Sequence, residues 1–496
     1  MIEFVVAPKV VARMAVQSRQ SYVTANNRLL QSVGASKLLD DILDWWLREI
    51  PNSQLLYVGG GNAALSFENK DEAKRSIGEW SRNWVRAAPG ARLVAGIGQA
   101  DDEWEAFKLA GDDLDRDEEE GSFGLELGIL PVTRYCPDTG LAANQYDRRS
   151  KSWKSAEGIS KEECARKYDR ELHIIPNPIP SIFPSSGRHT ERKIARYQQE
   201  ILQRKFRFPL DLEHLGMRAA ENQIAVVHCD GNGIGQLWQR LMDGRQGPLA
   251  AGVLELSNKL ADTALDAMAG MMLEMREAIP KWKTEEILRH EPDDGGEQYL
   301  PIRPLVDSGD DMTWICAGRL GIGSAVRFCK QFEQASRKIF GADSGLSACA
   351  GVAIVPVGFP FRRAYELAED LCGKAKKQRK EDDSKDGYID YQIVMEGGET
   401  SVEKIRANYR QDLITRPFSL SVDWPECESR WRHFKTDWET RGRGRAKSML
   451  EAIATSYDRG QELSKLYAQQ QYVGPPNTNT NDWFEPLELI DFHVEW

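Results

Sequence analysis

The sequence predicts an α+β protein built from two ferredoxin-like units, a connector between them and a small helical tail. Three observations predict it. Residues 221–397 carry apolar runs in the succession β-α-β-β-α-β, residues 1–110 carry a weaker copy of that succession, and residues 398–496 are helix-patterned and rich in charge and tryptophan. Residues 111–220 connect the two units.

In the stronger copy, residues 224–229 form an apolar run of strand length that ends at Asp230. A loop, Asp230-Gly231-Asn232-Gly233-Ile234-Gly235, then opens a short helix predicted over 234–241, and helical periodicity resumes over 252–278. Leu305-Val306 and Met312-Thr313-Trp314-Ile315-Cys316 flank the turn Ser308-Gly309-Asp310-Asp311 and are rich in residues that favour pleated sheet. A second helix is predicted over 320–340 and a strand over 346–355. In the weaker copy a strand is predicted over 21–24 and a helix over 34–47. A hairpin follows over 54–67 around Gly59-Gly60-Gly61-Asn62, then a helix over 70–88 and a strand over 91–98; the carboxylates of the stronger copy are missing.

The chemistry concentrates in two motifs. Adjacent carboxylates at a tight turn repel, and each favours protonation of the other unless a cation is near. Three glycines in five residues let backbone N–H groups approach an anion, and the helix opening at Ile234 aims its positive end at the same place. In a β-α-β-β-α-β unit the first strand lies beside the hairpin, so Asp230 is expected to meet Asp310 and Asp311. Hard oxygen ligands of this kind suit two Mg²⁺ or Mn²⁺ ions, with waters and substrate phosphates completing the shell. Such a pair activates a hydroxyl and stabilises a leaving pyrophosphate. Asp230, Asp310 and Asp311 are the expected catalytic and metal-binding residues; Gly231, Asn232, Gly233, Ser308 and Gly309 are the expected nucleotide cradle.

The loop, the hairpin and their spacing resemble the CRISPR polymerase family, the palm-domain large subunit of type III CRISPR effector complexes, itself similar to GGDEF nucleotide cyclases. The resemblance continues through residues 347–355, Phe359-Pro360, Arg363-Ala364 and residues 368–376, and Ile389 to Val394 resembles the family's closing strand. It implies two palms, a degenerate first and a catalytic second. It also implies a lysine that reaches the triphosphate, for which Lys376 is first choice, with Lys374 and Lys377 next. The activity implied is a nucleotidyltransferase that turns ATP into a cyclic oligoadenylate in antiviral defence. A cyclic mono- or dinucleotide product, or a silent nucleotide-binding assembly subunit, are the alternatives. Implied partners are nucleoside triphosphates and a guide-RNA ribonucleoprotein complex or a second copy. Asn232 and Ser308 depart from the pattern by removing a charge from the loop and a glycine from the turn. In the first palm, Gly60, Gly61 and Asn62 either hold an acceptor nucleotide by main-chain contacts or serve only as scaffold.

In the connector, Cys136 and Cys164, with His173 and His189, resemble the remnant of a zinc element, but no Cys-x-x-Cys pair exists; ordinary thiols are the simpler reading. The run Arg441-Gly442-Arg443-Gly444-Arg445 is expected as a solvated basic loop. A net charge of −11 over 496 residues argues against autonomous DNA binding. No apolar run approaches about 18 residues and no signal peptide is evident, so the eight cysteines are expected as reduced thiols in a cytoplasm. No His-Asp dipeptide occurs, and an HD-type nuclease is not expected.

Overall fold

The computed structural model describes residues 9–26, 28–48, 50, 52–59, 61–119, 134–148, 150–173, 193–203, 205–215, 222–244, 249–284, 298–341, 344–395, 401–475 and 478–496. The chain is mixed α+β, and its two main sheets share one strand order. The first contains β1 (Lys9–Gln17), β2 (Ser53–Gly59), β3 (Asn62–Phe67) and β4 (Arg92–Ala100), ordered β2-β3-β1-β4. Helix α1 (Arg19–Val23) and helix α2 (Leu29–Arg48) follow β1, and α3 (Lys70–Ala87) follows β3. After β4 comes α4 (Glu103–Glu119). The connector contributes a small hairpin, β5 (Gln145–Asp147) and β6 (Ser152–Lys154), then α5 (Ala156–His173) and the short strand β7 (Phe206–Arg207).

The second sheet begins with β8 (Gln223–Asn232), followed by α6 (Ile234–Gly244) and α7 (Leu249–Thr284). Strand β9 (Gln298–Tyr299) pairs with β7, and the hairpin is β10 (Ile302–Ser308) and β11 (Asp311–Ala317). Then come α8 (Gly321–Phe340), β12 (Ser347–Pro356), α9 (Phe361–Glu381) and β13 (Tyr388–Ile393). The order is β10-β11-β8-β12-β13-β14, so the first four strands repeat the order of the first sheet; β14 (Phe418–Ser419) is lent by the tail. The apolar run in β8 is buried along almost its whole length, as a central strand covered on both faces requires.

Glycines set how closely helices lie on these sheets. A Cβ on Gly351 of β12 would collide with the backbone of Ala368 and Cys372 in α9, and one on Gly96 of β4 would collide with Ala110 and Leu114 in α4. Gly321 of α8 packs against Ala225 and Val352, on the opposite face of β12 from Gly351. Each sheet therefore carries a helix directly on the last strand of its repeat unit. This corrects two sequence expectations. The stretch after Ala100 is a helix seated on β4, so the division expected at residue 110 between first unit and connector falls inside it. The strand expected over 21–24 is α1, and the first strand is instead Lys9–Gln17, whose nine residues are mostly buried on both faces.

The tail contains α10 (Val402–Arg406), α11 (Asp423–His433), α12 (Thr440–Thr455), α13 (Tyr457–Gln469) and α14 (Phe484–Glu488). Its own core gathers Phe434, Met449, Ile453, Trp483 and Phe484. The expected basic loop at residues 441–445 is the first turns of α12, because uninterrupted helical pattern downstream carries it. Buried Arg416 binds Glu488 at 2.6 Å, and Tyr391 of β13 donates to the same carboxylate at 3.0 Å, fastening tail to sheet. Among the described residues, no helix is long and apolar enough to cross a membrane.

Candidate functional site

Register brings the acids together. Met312 pairs with Cys229, so the next positions outward along the two strands are Asp311 and Asp230, at one end of the central strand pair. Ser308 closes the ladder opposite Asp311, and the left-handed residue of the turn is Gly309, with φ of 70°. Gly231 is held close to the hairpin: a Cβ there would lie 3.0 Å from the Cβ of Asp310. Gly233 takes φ of 84°, turning the chain into α6.

The electrostatics follow from this crowding. Burial, then the Asp230 carboxylate, lift Asp310 to a pKa of about 7, with Asp311 adding to the effect and Lys376 opposing it. Lys376 on α9 forms an ion pair with Asp230 and also approaches the Gly231 carbonyl at 3.4 Å. Burial works against its charge, but Asp230 outweighs that and holds the ammonium above its ordinary range. Asp311 accepts a hydrogen bond from the Gln20 amide at 3.0 Å; its other oxygen lies 3.4 Å from His228 Nδ1 and has no hydrogen-bond partner. His228 is buried, sharing Nδ1 with Thr313 at 3.2 Å and packing edge-on against Tyr365.

Other expected residues are placed differently. Asn232 is buried and its amide donates to Ser347 Oγ at 3.1 Å and Cys349 Sγ at 3.3 Å, so its side chain serves β12 and leaves only main chain to a cradle. Lys374 pairs with Glu403 rather than with the acids, and Lys377 points outward near Glu381. Gly60 lies outside the described residues. Gly61 and Asn62, however, share the walls of a cavity of about 560 Å³ with Gly309 and Asp310. Aromatic Tyr57, Phe107 and Trp238 line it, so it sits where the first unit's hairpin faces the second's. Cys136 and Cys164 are both buried, the side chain of His173 and all of His189 lie outside the described residues, and no group of three His, Cys, Asp or Glu side chains among the described residues is arranged to hold a metal ion.

The two hairpins share a register. Gly59 pairs with Asn62 as Ser308 pairs with Asp311, and each first strand is irregular two to four residues before its end, at Leu55/Tyr57 and Pro304/Val306. Asn62 pairs with Ala15 of β1 where Asp311 neighbours Asp230. Asp230, Asp310 and Asp311 thus correspond to Ala15, Gly61 and Asn62. Likewise Gly96 pairs with Arg13 as Gly351 pairs with His228, and Arg13 stacks on Phe107 where His228 meets Tyr365. Sequence reasoning missed Gln20, Arg13 and Tyr365; Gln20 lies 291 positions from Asp311, and no local pattern marks it.

The donor types at the acids suit a hard divalent cation, since they offer carboxylate oxygens, one of them buried and unbonded, whose mutual repulsion a cation would relieve, but the three side chains do not stand as a preformed ligand set.

A scan against protein-family models finds no match, and a search of curated proteins finds no relative. Solved structures do match. A Csm1-Csm4 cassette in complex with pppApA aligns with a TM-score of 0.52 at 12% identity, over 98% of this chain and 69% of that one. The apo Csm1-Csm4 cassette aligns with a TM-score of 0.51 at 13% identity, over 98% and 70%. A cassette in complex with cA4 aligns with a TM-score of 0.50 at 12% identity, over 98% and 69%. The repeated sheets, the hairpin and the tail together thus have the fold of Csm1 (Cas10) of type III CRISPR complexes.

Proposed function

We propose that the chain is a nucleotide-binding subunit of a type III CRISPR-like effector and, within it, a metal-dependent nucleotidyltransferase that converts ATP to a cyclic oligoadenylate. The observation that carries the reading is the convergence of Asp230, Asp310 and Asp311 with Lys376, beside a cavity that Asp310 lines together with the opposing hairpin. The fold's relatives include cassettes in complex with pppApA and cA4, which supports nucleotides as ligands. On this reading the two sheets are palms, the first degenerate because Ala15, Gly61 and Asn62 stand where the second has acids. Mg²⁺ or Mn²⁺ held by the three carboxylates would supply Lewis-acid activation of a 3′-hydroxyl and stabilise departing pyrophosphate. Lys376 would exchange Asp230 for triphosphate oxygens, the Gly231 and Gly233 backbone would cradle the phosphates, and Gly61 and Asn62 would face the acceptor nucleotide.

One observation favours a silent, nucleotide-holding subunit instead: Asn232 brings no charge and turns its amide into β12. Incubating the purified protein with ATP and Mg²⁺ or Mn²⁺, beside an Asp310→Ala/Asp311→Ala double variant, separates the two. The polymerase reading expects metal-dependent pyrophosphate release and oligoadenylates by mass spectrometry, reduced at least about 100-fold in the variant. No turnover with any nucleoside triphosphate, alone or with RNA, would leave the silent reading.

A further inference from the structure

Away from the acids, the connector hairpin of β5 and β6 forms a cationic and aromatic surface on a chain whose net charge is −11. Its strands pair Tyr146 with Trp153 and Asp147 with Ser152, and the turn between them carries Arg148 and Lys151. The Tyr146 and Trp153 rings meet edge to face at 5.4 Å, and the Arg134 guanidinium lies over the Trp153 ring at 5.3 Å. These rings pack on one another and stay in water: Tyr146 is 44% exposed, and Tyr135, one residue beyond Arg134, is 38% exposed.

The cations of this surface come without acids. Arg134, Arg148 and Lys151 are all exposed, and among the described residues none of the three has a carboxylate partner. The acids nearby serve elsewhere. Asp147 closes the turn, accepting from the Ser150 N–H at 3.3 Å and the Ser150 hydroxyl at 2.7 Å. Asp138 takes Lys154 at 2.7 Å and Arg28 at 2.8 Å, and Glu162 takes the same Lys154 at 2.7 Å. Lys154 is 2% exposed, so these two acids clamp the root of β6 and leave the outer cations unbalanced. Exposed aromatic faces interleaved with unbalanced cations match unpaired bases joined by phosphates, because the rings stack on any base and the cations follow the backbone. A duplex hides its base faces from such rings, and an acidic peptide has nothing to stack on them.

We propose that this hairpin docks single-stranded RNA, with Tyr146 stacking on a base and Arg134, Arg148 and Lys151 on phosphates. The choice of RNA over DNA rests on the effector reading above. None of these residues lines the cavity of Asp310, so the surface is separate from the nucleotide site.

The test is fluorescence anisotropy of the full chain with a labelled single-stranded RNA of about 12 nucleotides and mixed sequence, in rising salt. The expected result is binding whose log–log salt slope is about −2, as three phosphate contacts give, falling to about −0.7 in Arg148→Ala/Lys151→Ala. Tyr146→Ala should weaken binding about 5- to 150-fold and leave the slope unchanged. Ultraviolet cross-linking with mass spectrometry is a second readout that needs no variant, with nucleotide adducts expected on Tyr146 or Trp153. Adducts found only outside the connector, or undiminished binding in both variants, would overturn the proposal. DNA of the same sequence binding equally well would overturn the assignment to RNA. Binding of poly-glutamate that Tyr146→Ala leaves unchanged would mean an acidic protein partner and overturn it too. Pyrophosphate release is read separately: an active chain that binds no RNA overturns this proposal alone, and RNA binding without turnover overturns only the polymerase reading.

Discussion

At the scale of single residues, the acid cluster is a place where folding and chemistry oppose each other. Asp310 has a pKa of about 7 in the folded chain, against an ordinary carboxylate value of 3.8. Between those values the folded state holds a proton that the unfolded state has released. The stability this contributes is complete below the unfolded value and is lost as pH rises through about 7. Asp310→Asn removes the charge while keeping the shape. It should become more stable than wild type as pH is raised from about 6 to 8, by on the order of 1–3 kcal/mol, and nearly equal to it at about pH 4. Denaturant titrations of both proteins across that range check the sign. A difference that does not change with pH would mean that Asp310 is not held protonated by its neighbours. Lys376 and Gln20 moderate the same repulsion from outside, one as a cation beside Asp230 and the other as a donor to Asp311.

At the scale of elements, the close seating of α9 on β12 places Lys376, since the helix that carries it rests on Gly351. Any side chain at Gly351 meets the backbone of Ala368 and Cys372, which cannot move as a flexible side chain would. Gly351→Ala should therefore destabilise the chain by about 2–3 kcal/mol, and Gly351→Val by more. The same displacement should weaken nucleotide binding by carrying Lys376 away from Asp230. Gly373→Ala, on α9 with open space around its would-be Cβ, is the control and should be neutral or slightly stabilising. Chemical denaturation of the three variants measures it. The sequence shows Gly351 inside an apolar strand, but not which helix presses on it. That knowledge needs the pairing of β12 with β8 and the side of the sheet on which α9 returns.

At the scale of the whole molecule, Gln20 ties the first unit to the acids of the second. Its short helix is anchored by Arg19, whose buried guanidinium binds Asp40 of α2 at 2.6 Å. The Gln20 amide then reaches Asp311 across the interface. If the cluster performs the proposed transfer, Gln20→Ala should lower kcat about 10- to 150-fold, the equivalent of one hydrogen bond to a charged acceptor. Gln20→Glu should lower it further by adding repulsion, while both leave the Tm within about 2 °C of wild type. Pyrophosphate release beside thermal unfolding tests this; a Tm loss that matches the activity loss would mean that Gln20 serves only to hold the units together.

Much of the fold was legible in order along the chain. Strand-length apolar runs, the hairpin around Ser308-Gly309-Asp310-Asp311, its weaker copy around Gly59-Gly60-Gly61-Asn62 and the long helices all follow from periodicity and turn chemistry, which are local properties. The errors were local too: a strand was expected where the chain forms α1, and a loop where the basic run forms the start of α12. Other features depended on tertiary structure alone. Only packing turned Asn232 toward β12, gave Lys374 to Glu403, selected Lys376 for Asp230, and brought Gln20 to its place. Residue types and their spacing along a chain determine which elements form. Which side chains share a cavity, and which charges are left without water, depends on contacts between residues tens to hundreds of positions apart.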